Sequence, residues 1–376
     1  MSRPDVTPAT WLRPRLALFG RRWSSFHICG VTGLFLGTCL AMVLAGQAGL
    51  SRAVVAALLA MGVVTFLALT MATKIITGRE SLVYYHHEVA ILSVSAALLA
   101  AFNQPVLPYL DVTALGLGVF LAFGRCGCLL VGCCHGKPHR WGVRYGDQHA
   151  TEGFPECYVG VRLFPVQALE SITVALIVAA GSALVLRGSP AGAALSWYIV
   201  SYSTARIWLE ELRGDRARPY WLQLSEAQWT SLLLIVSVVV GEWQGRLPFS
   251  TWHLVMCGGA AISLVVLASG RTVADAIVHP RHASEIAAII KSLPQTTQGA
   301  VAVQRTSLTV GVSTASLERG DAVLYALSRV DRRLTLSEAR ALARLIGNLV
   351  SRSGGRHELL RGNYGVFHVI LHQSPG

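Results

Sequence analysis

The sequence predicts an all-α polytopic membrane bundle of about seven or eight transmembrane helices, followed by a small C-terminal soluble α+β domain. Of its 376 residues, 53% are hydrophobic and only 14% are charged, which is more apolar than a soluble protein's surface allows. The apolar residues form runs of about 18 with almost no charge, long enough to cross about 30 Å of hydrocarbon. After Ser269 these runs shorten and Arg, His and Glu become frequent.

Eight apolar runs define the predicted spans. In chain order they are Phe26–Gly46, Ala53–Thr73, Val89–Phe102, Val112–Val131, Val166–Leu186, Ala191–Leu212, Trp229–Val240 and Leu254–Ser269. The third and seventh are short for a span, so the count is seven or eight. So many apolar runs in series would leave too few polar residues to cover a soluble globule, which disfavours a buried-core interpretation.

Three regions follow from this pattern. Residues 1–25 form a basic N-terminal segment without a small-residue cleavage site, so we expect it to stay attached. Residues 26–270 form the membrane domain, and residues 281–376 form the α+β domain, whose function the sequence leaves open. In that domain Ala300–Thr314 and His357–His372 alternate like strands, while Leu336–Val350 has helical spacing that begins near Ser337 and Glu338.

The net charge of +12 does not indicate a nucleic-acid-binding protein. The arginines lie at span ends and in the C-terminal region rather than among aromatic residues, which favours contact with anionic lipid head groups. Eight cysteines do not form a secreted disulfide pattern, because Cys29, Cys39 and Cys257 lie inside apolar runs. A zinc site is the less favoured alternative for the other cysteines, because structural sites usually space their ligands two to four residues apart. Here one residue separates Cys126 from Cys128, and Cys133 and Cys134 are adjacent.

Arg125 is the first site residue that the sequence predicts. It lies near the end of the fourth span between Gly124 and Gly127, and a charge there needs a cavity or an anion unless its side chain reaches the interface. A second group, Arg206, Glu210 and Arg213, has i, i+4, i+7 spacing on one helical face. This group fits either a structural ion-pair ladder or a phosphate-bearing head group held by arginine.

Two further segments lie at span ends. Pro165 opens the fifth span and brings Gln167 and Glu170 to the membrane edge, where an interfacial cap is the plain alternative. Tyr84–Glu88 opens the third span with aromatic and titratable groups, where an interfacial aromatic belt is the alternative. We expect Arg125, Arg206, Glu210 and Arg213 to converge on one polar cavity, because isolated charges at such depths would be too unfavourable.

These segments, in this order, resemble the prolipoprotein diacylglyceryl transferase family of bacterial membrane enzymes. The run from Gly124 to Gly127 resembles that family's Gly-Arg-x-Gly-Asn-Phe signature, and Gly136 falls on its later glycine. The spacing of Arg206, Glu210 and Arg213 matches its Arg-Phe-x-x-Glu-x-x-Arg helix. Further similarities are Pro165-x-Gln167-x-x-Glu170 to its His-Pro-x-Gln-Leu-Tyr-Glu motif and Ser225-x-x-Gln228 to the opening of its last span. The resemblance covers roughly residues 81–240.

Four positions depart from the family pattern. Cys128 replaces the signature Asn, Cys133 replaces the signature Glu, and Phe164 replaces the His before Pro165. Tyr85-His86-His87 stands where the family has His-Gly-Gly or Tyr-Gly-Gly. The arginines are therefore kept while several of their polar partners are not.

The resemblance implies transfer of a diacylglyceryl group from phosphatidylglycerol to the thiol of a lipobox cysteine in a substrate protein, in the bacterial inner (plasma) membrane. It implies no metal and no organic cofactor. Arg125, Arg206 and Arg213 would then stabilise phosphate charge. Glu210, His86 or His87 would accept the thiol proton, with Glu170 as a more distant choice. Substrate-binding positions would be Arg213, Tyr85, Gly124, Gly127, Gly136, Gln167 and Glu170.

Two other functions remain open from sequence alone. One is a diverged, non-catalytic paralogue that binds anionic lipid or a partner protein. The other is a membrane thiol or redox protein that uses Cys133 and Cys134.

Membrane orientation is also left open. If eight spans alternate, most basic residues fall on one side, which the positive-inside rule places in the cytoplasm. That side holds Arg13, Arg15, Arg21, Arg22, Lys74, Arg79, Lys137, Arg140, Arg144, Arg213, Arg216 and Arg218, against Arg52, Arg187 and Arg246 on the other. The family resemblance instead puts the loop after the fourth span on the outer face. Because arginines of the predicted site lie in these loops and bias the count, the arrangement that the resemblance implies is slightly favoured.

Overall fold

Eight long helices occupy the eight predicted spans in the computed structural model of the protein. The structure describes residues 11–18, 20–78, 83–215, 219–270, 273–293, 303–316, 322–350 and 357–372. The long helices are α1 (Ser25–Gln47), α2 (Arg52–Thr77), α3 (Tyr84–Ala101), α4 (Val106–Val131), α6 (Val166–Leu186), α7 (Ala193–Leu212), α8 (Glu226–Trp243) and α9 (Thr251–Ser269), with the short α5 (Asp147–Ala150) after α4.

Five of these helices, α1, α2, α4, α6 and α9, are long and apolar enough to cross a membrane by length and composition. The chain is therefore a multi-pass membrane protein. The two spans predicted to be short are each 18 residues in the structure, about 27 Å at 1.5 Å per residue. They begin earlier than predicted because α3 and α8 include polar first turns, with Glu88 and Glu226 inside the helices.

The fourth span is the central helix of the bundle. Its apolar residues Val112, Ala114 and Leu115 are fully buried, and α4 packs against α1, α6, α7 and α3. Close approach of α1 to α4 depends on glycine, because a Cβ at Gly37 would overlap the carbonyl oxygen of Gly116. This packing fixes the depth of the C-terminal end of α4, which carries Arg125.

Short strands cover one end of the bundle. They form three two-stranded sheets: β1 (Arg15–Leu18) with β2 (Arg21–Ser24), β3 (Pro138–Arg144) with β4 (Arg162–Leu163), and β5 (Tyr220–Trp221) with β6 (Leu224–Ser225). The β1–β2 hairpin was not predicted from the basic N-terminal segment. It contacts the loop after α4, where Arg15 Nε lies 2.7 Å from a carboxylate oxygen of Glu152.

The C-terminal region forms the predicted α+β unit. It contains α10 (Val273–Ile277), α11 (Pro280–Ser292), β7 (Gln304–Arg305), β8 (Val310–Ser316), β9 (Ala322–Arg329), α12 (Leu336–Val350), β10 (His357–Arg361) and β11 (Phe367–His372). The strands form one antiparallel sheet in the order β10-β11-β9-β8-β7. Ile277 of α10 belongs to its core, so this packed unit includes residues before 281.

Two predicted strand segments are hairpins in the structure. In the predicted segment 300–314, a turn at Thr309, whose φ is +62°, separates β7 from β8. Residues 300–302 of this segment lie outside the described residues. Tyr364 and Gly365, with φ of +57° and +81°, break the second segment between β10 and β11. Alternation of apolar residues persists through such short turns, so the pattern alone does not reveal them.

The α+β unit lies against the loop that follows α4. Ala287 and Leu349 pack with Tyr145, Phe154 and Tyr158 of that loop. The Asn348 side-chain amide also donates to the Pro138 carbonyl at 3.2 Å. The N-terminal hairpin, this loop and the C-terminal unit therefore share one end of the bundle, as the alternation of eight spans predicts. Arg79, Arg216 and Arg218 of the charge comparison lie outside the described residues.

The start of α12 predicts an acid-sensitive stability. Thr335 and Glu338 form a reciprocal cap, in which the Thr335 N–H donates to Glu338 Oε2 at 2.9 Å. Burial alone would raise the pKa of Glu338, but hydrogen bonds from Arg332 and Thr335 outweigh it and lower the pKa to about 2. Because this pKa lies below the unfolded value, the stabilisation is complete above about pH 4.5 and is lost as the pH falls toward 2.

We therefore expect the α+β unit of the full protein to unfold more readily between pH 4.5 and 2 than above pH 5, because Glu338 becomes protonated there. A Glu338→Gln variant should be less stable at neutral pH and should lose this part of the pH dependence. Hydrogen exchange of α12 amides, measured by mass spectrometry, reports the change. Equal acid sensitivity in both proteins would contradict the assignment.

Candidate active site

Glu170 is the centre of a buried polar cluster between α4, α6 and α7. Its Oε2 lies 2.9 Å from Nε of Arg125, and its Oε1 lies 3.3 Å from Nη1 of Arg206. The Tyr202 hydroxyl donates a third contact to Oε1 at 2.8 Å. Glu170 is 1% exposed, and the two arginines are 8% and 6% exposed. Its motif predicts Glu170 at the membrane edge and as a substrate-binding position, and in the structure it lies between the two arginines.

The cluster continues along α7. Arg206 Nη2 lies 2.8 Å from Oε2 of Glu210, one helical turn further on. Arg206 therefore bridges two carboxylates, while Glu170 bridges two guanidinium groups. Arg125, Glu170, Arg206 and Glu210 thus form one ion-paired cluster with two positive and two negative charges. Arg213 pairs with Asp215. Convergence of the four predicted residues on a common polar cavity stays a prediction.

Arg213 lies at the end of α7 beside the loop after α4. Its guanidinium forms two 2.9 Å hydrogen bonds to Asp215, and its backbone pairs with that of Gly136. The Gly214 N–H also donates to the His135 carbonyl at 2.9 Å. Gln167, 1% exposed, donates through Nε2 to the Cys133 carbonyl at 2.8 Å and so holds the same loop from α6.

The residues of the third span lie at the edge of this cluster or beyond it. His86 Nε2 is 2.9 Å from Oε1 of Glu226, and both side chains are partly exposed. Tyr85 packs edge-on against His86 and is close enough to Arg206 and Glu210 to interact with their charges. His87 is buried against α2 instead, with Nε2 at 3.1 Å from the Thr70 hydroxyl and Nδ1 at 3.0 Å from the Val83 carbonyl.

The three glycines predicted at the site have different surroundings. A Cβ at Gly136 would overlap the Phe164 carbonyl oxygen, and one at Gly127 would lie 3.1 Å from atoms of Phe26 and Cys29 in the first span. A Cβ at Gly124 would meet nothing within 4 Å. Gly136 is thus required where the loop meets Phe164 and α7, Gly127 lies at a tight helix contact, and Gly124 has open space.

We expect Gly136→Ala to lower activity at this site by roughly tenfold or more, because relieving the overlap costs about 1–3 kcal/mol and moves the backbone that pairs with Arg213. Gly258→Ala in α9 is the matched control, because a Cβ there would meet nothing within 4 Å. It should retain activity, since alanine is also the better helix former. Initial rates of the two variants in the same bilayers, with the unmodified protein as reference, measure the difference. Equal activity of the Gly136→Ala variant and the control would show that Gly136 is not needed at the site.

Three cysteines also lie together at this end of α4. The thiol sulfurs of Cys128, Cys133 and Cys134 are all within 4.8 Å of one another. Cys126 faces elsewhere, with its Sγ 3.3 Å from the Ser171 hydroxyl. The spacing of these three cysteines along the chain did not predict that their thiols lie together. The chain folds back in the turn after α4, and this brings Cys133 and Cys134 beside Cys128 of the helix.

A cavity of about 400 Å³ lies elsewhere, bordered by Gln47, Asp111 and Ala194. Both oxygens of Asp111 accept hydrogen bonds of 2.7 Å from the backbone of Gly192 and Leu195 at the start of α7. The Asp111 carboxylate therefore caps the start of α7. Because both of its oxygens are already bonded, we do not assign this cavity to the reaction at the arginine cluster.

Comparison with known proteins assigns the family. The model described as prolipoprotein diacylglyceryl transferase matches residues 19–243, which include α1 to α8 and all residues of the polar cluster. The chain belongs to this family. The match ends before α9 and the α+β unit.

Individual members of the family are similar over a shorter stretch. A phosphatidylglycerol–prolipoprotein diacylglyceryl transferase of Clostridium tetani is 32% identical over 136 residues, which is 36% of this chain and 52% of the relative. The enzyme of the same name numbered 2 from Clostridium perfringens is 31% identical, over 36% of this chain and 51% of its own. One from Dehalococcoides mccartyi is 31% identical, over 35% and 48%. The chain spans about half the length of the curated relatives it matches.

Proposed function

We propose that the protein transfers the diacylglyceryl group of phosphatidylglycerol to the lipobox cysteine of a prolipoprotein. The observation that supports this most directly is the buried Arg125–Glu170–Arg206 arrangement at one end of a membrane bundle. In this reaction the carbon–oxygen bond to phosphate breaks, so the leaving phosphate gains charge that preorganised guanidinium groups can stabilise. Anionic lipid and the lipobox-containing protein would be the partners, without nucleic acid.

Each group of the cluster has a proposed role. Arg125 and Arg206 would contact the phosphate, and Glu170 would hold their planar groups in position before the lipid binds. Arg213, with the backbone of Gly136, would border the head group, while Gly124 and Gly127 would let α4 lie close to the lipid and to α1. Gln167 would hold the loop after α4 against α6, and Tyr85 would line the site on the side of α3.

The substrate thiol must lose a proton before it attacks carbon. Glu210 and His86 are the proposed acceptors, because Glu210 adjoins Arg206 and His86 is partly open and bonded to Glu226. His87 is the weaker choice for this role, since both of its ring nitrogens already contact Thr70 and Val83.

We further propose eight membrane spans, α1 to α4 and α6 to α9, in the bacterial inner membrane. The three helices beyond the five most apolar ones are α3, α7 and α8. They carry the charged residues Glu88, Arg206 and Glu226, which make these helices less apolar. Residues 1–25 and the α+β region from about residue 281 would then be extramembrane additions to a membrane domain of residues 26–270.

The orientation of the bundle gives a direct prediction. We expect reporters fused after Arg144 and at the C-terminus to give the same side, because the α+β unit packs on the loop that contains Arg144. The side should be the outer face, where secreted substrates are found, although the basic residues would favour the cytoplasm. A paired phosphatase and green fluorescent protein fusion at each position reports the side. Opposite sides for the two positions would contradict an eight-span bundle.

The activity is tested with the purified full-length protein in bilayers that contain phosphatidylglycerol labelled in its acyl chains. Label should appear on a lipobox peptide, and glycerol phosphate should be released. A peptide with Ser in place of the lipobox Cys is the control. Lipid binding without transfer in this assay would instead favour a diverged, non-catalytic paralogue.

A further inference from the structure

We propose that Cys128, Cys133 and Cys134 form a three-thiolate zinc site whose fourth coordination position binds the thiol of the substrate protein. This inference rests on the proposed function, because it identifies how that thiol would be activated. Two of the three cysteines stand where the family pattern has Asn and Glu. The chain would therefore replace those polar groups by a metal centre.

The turn after α4 builds this site. Gly132 ends α4 with φ of +87°, and its N–H donates to the Cys128 carbonyl at 2.9 Å. A Cβ at Gly132 would lie 2.8 Å from Phe154, so glycine is required there. Cys134 also has a positive φ of +52°, which is uncommon for a residue with a side chain. This backbone returns Cys133 and Cys134 to the level of Cys128.

The sulfur separations suit a metal ion. A tetrahedral zinc ion with bonds of about 2.3 Å places its sulfur ligands about 3.8 Å apart. All three sulfurs lie within 4.8 Å of one another, so the closure needed is about 1 Å at most. Cys133 is exposed and can rotate, while Cys128 is buried and fixed. Gln167 fixes the backbone at Cys133 through its 2.8 Å hydrogen bond.

The surrounding charges also fit. Three thiolates and one Zn²⁺ carry a net charge of −1, and a fourth thiolate makes it −2. Arg125 and Arg213 both interact electrostatically with Cys134 and would offset this charge. The C-terminal end of α4 favours a cation because its last carbonyls carry partial negative charge. The same two arginines adjoin the proposed phosphate site, so metal-bound thiolate and lipid would meet there.

The chemistry follows from an open coordination position. Zinc held by three protein ligands binds a further ligand, and a thiol that coordinates zinc loses its proton. At neutral pH a free thiol is only a few per cent thiolate. The bound sulfur would attack the diacylglyceryl carbon, forming a carbon–sulfur bond as the carbon–oxygen bond to phosphate breaks. The electron pair stays on the phosphate oxygen, and the thiol proton passes to Glu210, His86 or solvent.

Cobalt binding by the full-length protein in nanodiscs tests the site without requiring activity. The reduced, metal-stripped protein should bind one Co²⁺, show a thiolate-to-cobalt charge-transfer band, and lose it when Zn²⁺ is added. Cys133→Ser should weaken binding at least tenfold without disturbing the fold, because this side chain is exposed. The triple serine variant at positions 128, 133 and 134 should show no band. Cys39→Ser in α1 is the matched control and should bind like the unmodified protein.

The substrate position is tested by adding the lipobox peptide to the cobalt-loaded protein. A fourth thiolate should raise the charge-transfer intensity by about one third, and the peptide with Ser should not. Transfer should fall about tenfold on metal removal and return with Zn²⁺.

The possible outcomes separate the two proposals. Undiminished transfer by metal-free protein would overturn the zinc inference while supporting the proposed function. Zinc and peptide coordination without any transfer would support the metal site and count against the proposed function. A missing charge-transfer band, or one that survives in the triple variant, would overturn the inference. A disulfide among the three cysteines in protein isolated from cells, with no metal bound after reduction, would also overturn it and favour a thiol or redox function.

Discussion

Replacing Arg206 by Ala should lower diacylglyceryl transfer by a hundredfold or more. Removing one preorganised donor from a dry site typically lowers the rate by about this factor, because the developing phosphate charge loses its stabilisation. Arg206 is 6% exposed and bridges Glu170 and Glu210, so bulk water has little access to replace its guanidinium group. Initial rates with labelled phosphatidylglycerol in reconstituted bilayers measure the effect.

Arg206→Lys should also fail. Arg206 contacts Glu170 through Nη1 and Glu210 through Nη2, and one ammonium group cannot reproduce this planar fork. Arg187→Ala is the matched control, since Arg187 is exposed and lies at the C-terminal end of α6, away from the cluster. Transfer by Arg206→Ala above a tenth of the unmodified rate would remove Arg206 from the catalytic group.

Much of the membrane bundle was predictable because hydropathy depends only on local composition. All eight predicted runs correspond to helices, and the errors lie at their ends, as at Tyr84 in α3, Val106 in α4 and Glu226 in α8. The arginines were also predictable, since a charge in an apolar run is unfavourable without a partner. Family membership followed from the same residues, whose spacing is kept.

The features that the sequence did not predict depend on three-dimensional packing. The sequence predicts Glu170 only as a substrate-binding residue, and its contacts with both arginines depend on how α6 is rotated against α4 and α7. The three thiols meet only because the chain adopts positive φ at Gly132 and Cys134. Docking of the α+β unit depends on contacts such as Ala287 with the Tyr145 loop, far apart in the sequence.

Glu170 gives the second large prediction, which separates the structural role of the cluster from its catalytic role. Glu170→Met should destabilise the protein by about 3–5 kcal/mol, because Arg125 then remains charged and buried without its carboxylate. Tyr202→Phe should cost only about 1.5–3 kcal/mol, since it removes one 2.8 Å hydrogen bond to that carboxylate. Unfolding free energies from SDS titration in bicelles provide the comparison.

The double variant Arg125→Met with Glu170→Met should recover much of this stability, because Arg206 keeps its 2.8 Å contact with Glu210 and the remaining charges balance. Transfer should stay lost in the double variant, since a guanidinium that faces the phosphate is absent. Recovered stability without recovered activity would assign Glu170 to positioning and Arg125 to the reaction. A double variant no more stable than Glu170→Met would show that the Arg125–Glu170 contact is not what stabilises the cluster, and a double variant with restored transfer would show that Arg125 does not contact the reacting lipid.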